Sequence, residues 1–148
     1  MTRRLLHGET TQRIIGLFYE VHWELGPGFL ESIYANGMAC ALTDAGVSYE
    51  RQKGVAVHFR GRRIGVFRAD MIVEDRVLVE FKAGTRLDPT AEAQTINYLR
   101  ATNLQVALIL DFGPKPTFKR LVVTARQRFI PRVSADSADS AANADASE

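Results

Sequence analysis

Asp70, Glu80 and Lys82 are the residues whose types and spacing point most directly to chemistry. In the run Val77-Leu78-Val79-Glu80-Phe81-Lys82, side chains alternate across a strand, so Leu78, Glu80 and Lys82 share one face and Val77, Val79 and Phe81 share the other. Burying two opposite charges on an apolar strand is costly unless something pairs with them. A divalent metal ion or a phosphate would be such a partner, and Asp70, on the preceding strand, lies within reach of the same spot. The pattern reads as a metal-dependent phosphodiesterase site. Hairpin geometry decides whether the two acids meet. A three-residue loop at Glu74-Asp75-Arg76 pairs Val73 with Val77 and sets Asp70 opposite Glu80; a two-residue loop would pair Asp70 with Val79 and turn the carboxylates to opposite faces.

The elements that must hold these residues are helices flanking a small sheet. Ile14, Phe18, Val21 and Leu25 recur at helical spacing after Thr10 or Thr11 as N-cap, and Gly26-Pro27-Gly28 ends that helix. A second helix is expected over residues 29–45, with Leu30, Ile33, Tyr34, Gly37 and Ala41 on one flank and Gly46 as a left-handed C-cap. Gly37 would allow a close approach to a neighbouring helix or sheet. Strands at residues 47–59, 64–73 and 77–82 make an antiparallel meander. Asp88 as N-cap and Pro89 as first helical residue open a third helix running to about Thr102. Residues 105–110 form a short, almost continuous apolar strand of the buried type, and residues 118–124 a final strand. The order is α-α-β-β-β-α-β-β, an α/β fold with a mixed sheet.

Composition sets looser bounds. A chain of 148 residues, 46% hydrophobic, can bury one core and is expected to be a single domain over residues 1–133. Residues 134–148 carry four acids and no Lys or Arg, lack large apolar side chains, and are expected to be a disordered acidic tail. The remainder carries 19 − 13 = +6, a moderate excess that favours a polyanionic partner weakly. The single Cys40 cannot form an internal disulfide. With no secretory pattern and no apolar run of membrane-spanning length, the expectation is a cytoplasmic chain with no membrane partner.

Asp70 followed by Glu80-Phe81-Lys82 resembles the PD-(D/E)xK nuclease signature. Gly28-Phe29-Leu30-Glu31-Ser32-Ile33-Tyr34 resembles the motif that names the GxxExxY protein family within that superfamily. The likeness continues through His22 with Leu25-Gly26-Pro27-Gly28, Glu50-Arg51-Gln52, Glu92-Ala93-Gln94 and Asn97-Tyr98-Leu99. The proline of the superfamily name is replaced by Ala69. The resemblance implies a restriction-endonuclease-like core and hydrolysis of phosphodiester bonds in DNA or RNA. It implies Asp70, Glu80 and Glu31 as ligands of Mg²⁺ or Mn²⁺, with Lys82 beside the attacking water. Gln94 and Tyr98, four residues apart on one helical face, resemble a Q-x-x-x-Y element, and together with Tyr34 and His22 would bind substrate or support the site.

Plainer roles compete for each residue. Glu80 and Lys82 could form a cross-strand ion pair, Glu31 could answer the helix macrodipole, and Tyr34 and Tyr98 could be core aromatics with bonded hydroxyls. His22 could be a cap or core partner, and Arg60, Arg62 and Arg63 a solvated hairpin tip that would look the same if it touched phosphate. Two functions from different classes remain: a metal-dependent nuclease, or a noncatalytic nucleic-acid- or protein-binding module that keeps the fold. A homodimer or a place in a larger assembly fits either.

Overall fold

The protein is described by a computed structural model over residues 5–84 and 89–124. Helix α1 spans Gly8–Leu25 and buries Ile14, Phe18 and Val21 of the stripe its spacing predicts, whereas Leu25, the fourth member at the last helical position, is 37% exposed. It begins earlier than the threonines suggest, with His7 as N-cap in the left-handed region at φ 54°. Thr10 and Thr11 lie buried inside the helix; Thr10 donates to Glu74 Oε2 (2.9 Å) and Thr11 to the Gly8 carbonyl (3.1 Å), so neither caps. The distant bond to Glu74 has displaced the local role. Gly26, at φ 75°, ends α1.

Helix α2 spans Glu31–Asp44, two residues later than the expected start, with Leu30 as an extended N-cap. Its inward stripe is Tyr34, Met38, Ala39 and Leu42; Leu30 (75% exposed) and Ile33 (40%) face solvent instead of the core. The expected flank was rotated because α2 rests on the sheet and meets α1 at Gly37. A Cβ there would lie 3.1 Å from Val21 Cγ1 and 3.2 Å from Leu25 Cδ1, so the glycine permits the helix–helix approach. The helix closes in a Schellman arrangement: Val47 N–H bonds the Leu42 carbonyl and Gly46 N–H the Thr43 carbonyl, with Gly46 at φ 70°.

Strands β1 (Tyr49–Phe59), β2 (Arg62–Val73) and β3 (Val77–Lys82) form the antiparallel meander. Helix α3 (Pro89–Arg100) crosses to β4 (Val106–Asp111), which runs parallel to β3, and β5 (Thr117–Val122) returns antiparallel. The sheet order is β1-β2-β3-β4-β5, and along the chain the elements follow the expected α-α-β-β-β-α-β-β order. Helix α3 stops at Arg100, short of Thr102, while β4 runs one residue past its expected end at Leu110 to include Asp111. The expected cap Asp88 and the tail 134–148 lie outside the described residues.

The sheet is sandwiched between helical layers. Val77, Val79 and Phe81 of β3 pack with Val106, Leu108 and Leu110 of β4 beneath α1 and α2. Leu78, Ala107 and Ile109 face α3 through Leu99. Buried on both faces, the parallel pair reads as nearly unbroken apolar sequence, which is why the few polar residues at its carboxyl ends stand out. Phe112 anchors those ends, stacked on Tyr34 at 4.5 Å and edge-on to Phe18 at 4.7 Å.

Candidate functional site

The β2–β3 loop sets the site. Val73 pairs with Val77, Ile72 with Leu78 and Met71 with Val79, so the loop has the three residues that bring Asp70 opposite Glu80. Glu74 and Asp75 both take φ 53°, uncommon for residues with a Cβ. Bonds from Thr10 to Glu74 Oε2 and from Glu74 N–H to the Ser48 carbonyl hold the turn in place.

Beyond Met71 and Val79 the backbone ladder stops, and side chains take over its hydrogen bonds. Phe81 N–H donates to Asp70 Oδ2 (2.9 Å), and Asp70 N–H donates to Glu80 Oε1 (3.4 Å). The two carboxylates thus occupy the gap where β2 parts from β3. Gln52 Nε2 approaches Asp70 Oδ1 at 3.5 Å from β1, with Gln52 itself held at φ 52° inside the strand.

Electrostatics show how close the charges are. Burial first, then the Asp70 charge and its hydrogen bond, push the Glu80 carboxyl from 4.5 up to about 8. At neutral pH the pair therefore holds on to one proton, as close carboxylates do. Glu31, in the first turn of α2, is raised by burial and by Asp70, while Lys82 opposes the shift. Glu31 thus senses the same cluster across the helix–sheet boundary. The Lys82 ammonium makes no ion pair within 4.0 Å among the described residues.

Asp111 was not anticipated from sequence. It sits beside Lys82 in the parallel register, is 2% exposed, and its Oδ1 has no hydrogen-bond partner. Burial raises its carboxyl, against backbone N–H groups of Gly113 and Gly84 and the Lys82 charge. A Cβ at Gly113 would collide with the Gly84 carbonyl oxygen, so the glycine lets the loops after β3 and β4 lie close together. The one available signal was an acid closing an apolar strand of the buried type before Phe112-Gly113, and it acquires meaning only once β4 is aligned with β3.

The supporting residues divide. His22 Nε2–H donates to the Gly113 carbonyl (2.8 Å), and the ring stacks on Phe112, so His22 ties α1 to the loop after β4. Tyr34 is fully buried; its hydroxyl donates to the Gly26 carbonyl and accepts from Phe29 N–H, which closes the Gly-Pro-Gly turn onto α2. Gln94 donates to the Tyr98 hydroxyl (2.9 Å), and Tyr98 stacks on Phe67 of β2 at 3.7 Å. The Tyr98–Phe67 stack joins α3 to β2, and the Gln94 bond holds the Tyr98 hydroxyl within α3.

The donor set suits a hard divalent cation in one respect. Asp70 and Glu80 offer adjacent carboxylate oxygens whose mutual repulsion a cation would relieve, and Mg²⁺-type sites commonly rest on one or two carboxylates, with waters and substrate phosphates completing the shell. Among the described residues, no three His, Cys, Asp or Glu side chains form a group that could hold an ion. The fit is to a two-carboxylate site open to solvent and substrate, not to a closed cage.

The family model of the PD-(D/E)XK nuclease superfamily matches residues 8–121, and the chain belongs to that superfamily. The five-stranded mixed sheet with three helices is consistent with its restriction-endonuclease-like fold. Membership suggests a nuclease-like function on nucleic acid, and nucleases of the superfamily generally use divalent metals. No curated protein and no solved structure matches the chain. No described helix is long and apolar enough to cross a membrane.

Proposed function

We propose that this protein is a divalent-metal-dependent nuclease hydrolysing phosphodiester bonds in DNA or RNA, of the GxxExxY type within its superfamily. The observation that carries the reading is the Asp70–Glu80 carboxylate pair, set into the gap between β2 and β3 and electrostatically coupled to Lys82 and Glu31. A fold gains no stability from crowding like charges, and such crowding marks sites that work on a ligand. Asp70 and Glu80 would hold Mg²⁺ or Mn²⁺, and Glu31 would reach the ion through a water or accept a hydrogen bond from the attacking water. Lys82 orients that water or faces the negative charge growing on the phosphate oxygens. A bound ion supplies Lewis acidity toward phosphate and makes a water more acidic.

The test incubates the full chain with labelled single- and double-stranded DNA and RNA plus Mn²⁺, with Glu80→Ala as the control for contaminating nucleases. Cleavage of any substrate by the parent and none by the variant supports the reading. A parent that cuts nothing, or cuts no better than the variant, overturns it. One observation favours the second reading, a noncatalytic nucleic-acid- or protein-binding module: no three acidic side chains form an ion-holding group among the described residues. That reading expects no Mg²⁺ or Mn²⁺ binding by calorimetry, even with nucleic acid present.

A further inference from the structure

The β1–β2 hairpin runs far past the rest of the sheet. β3 pairs with β2 only over residues 71–73, so residues 54–69 form a two-stranded ribbon ending in the turn at Arg60 and Gly61. From Arg62 to Ala69 this is about 25 Å of strand. One face of its base is fixed: Phe67 and Ala69 are buried in the α3-side core, and Phe67 stacks on Tyr98. On the face of β2 opposite Phe67, alternation sets Val66 and Arg68, and beyond them come Ile64, the extra residue left between the Val57–Gly65 and His58–Arg63 pairs, and Arg62. All four are exposed, Ile64 by 65% and Val66 by 51%.

Charge on the ribbon is one-signed. Residues 54–69 hold Arg60, Arg62, Arg63 and Arg68 and no Asp or Glu, while at the base Lys53 pairs with Glu50 at 3.1 Å. Exposed branched apolar residues between arginines, on a ribbon leading to a carboxylate pair, match a partner with phosphate walls and methyl-bearing base edges between them.

We propose that the β1–β2 ribbon is a docking arm for duplex DNA, lying in the major groove with its arginines on flanking phosphates and Ile64 and Val66 toward the base edges. The major groove of B-form DNA, about 12 Å wide, admits a two-stranded ribbon, whereas the A-form groove of duplex RNA is too deep and narrow. A second copy pairing along the open β1 edge is disfavoured by the edge itself. That edge carries Arg51 and Lys53 and holds Gln52 in a left-handed conformation, features that oppose strand addition. The inference deepens the nuclease reading by naming the form of the substrate, and rests on that reading only for the cutting step.

The experiment follows fluorescence anisotropy of a labelled DNA duplex of about 20 base pairs, the RNA duplex of the same sequence, and the single DNA strand, in EDTA from about 50 to 200 mM salt. The parent should bind duplex DNA at least about tenfold more tightly than duplex RNA. Arg60→Gln/Arg62→Gln/Arg63→Gln should lose about tenfold or more in duplex DNA affinity. Its slope of log affinity against log salt should flatten by about 2 to 3. Ile64→Asp should weaken DNA binding as well, and the circular dichroism of both variants should match the parent's.

Unchanged affinity and slope in the triple variant overturn the proposal. So does equal binding of DNA and RNA duplexes, or a parent dimer that the triple variant splits without affecting DNA. Ribbon-dependent DNA binding by a parent that never cuts with Mn²⁺ supports the arm and sinks the nuclease reading. Cutting by a parent whose DNA binding ignores the ribbon substitutions sinks the arm alone.

Discussion

Glu80→Gln should stabilise the metal-free protein. The folded-state carboxyl titrates near about 8, against 4.5 when free. As pH rises past 4.5 the unfolded chain gives up this proton while the folded chain keeps it, so unfolding releases a proton and stability falls with pH until about 8. At 1.36 kcal/mol per pH unit, the interval from 4.5 to 7 amounts to about 3 kcal/mol at neutral pH. A glutamine has no proton to lose, and its amide can still donate to the Asp70 carboxylate as the protonated Glu80 does. Urea unfolding in EDTA reads the difference. With a slope of about 2 kcal/mol per molar, the Glu80→Gln midpoint should exceed the parent's by about 1.5 M at pH 7, and the two should converge near pH 4. Adding Mg²⁺ should narrow the gap at pH 7, since an ion that binds the folded carboxylate pair stabilises only the parent appreciably. A Glu80→Gln protein no more stable than the parent at pH 7, or a gap that stays constant from about pH 4 to 8, would refute the repulsion argument.

Other perturbations probe the surroundings of the pair. Lys82→Met should keep the fold and Mn²⁺ binding, measured by calorimetry, while removing cleavage; parent-like cleavage would exclude Lys82 from the reaction. Gly113→Ala should cost about 1–3 kcal/mol in urea unfolding, because the new Cβ would collide with the Gly84 carbonyl oxygen beside Asp111. A midpoint equal to the parent's would mean that the loops after β3 and β4 separate easily.

Local pattern carried much of the architecture in this chain. Period-two alternation placed Glu80 and Lys82 on the face opposite Val79 and Phe81, and the length of Glu74-Asp75-Arg76 anticipated the register that brings Asp70 to Glu80. Helical spacing identified Ile14, Phe18 and Val21, and Gly46 and Gly37 acted as cap and contact point. These succeed because neighbours in sequence decide side-chain direction along a strand or helix. Local reasoning failed where a distant residue competed. Thr10 left its capping role for Glu74, and the flank of α2 holding Leu30 and Ile33 turned to solvent once α2 settled on the sheet through Tyr34, Met38 and Leu42.

The acid that completes the charged cluster shows the boundary most clearly. Nothing near Asp111 in sequence says that Lys82 will lie beside it, since a parallel partner is chosen by a crossover through α3 and not by a turn. The same holds for Gln52 at Asp70 and for His22 at Gly113, contacts spanning 18 and 91 residues. The linear order of residues thus settled which side chains share a face and which glycines could bend the chain. The meeting of β3, β4, α1 and α2 settled which charges are left crowded and short of partners, because burial and distance are properties of the packed molecule alone.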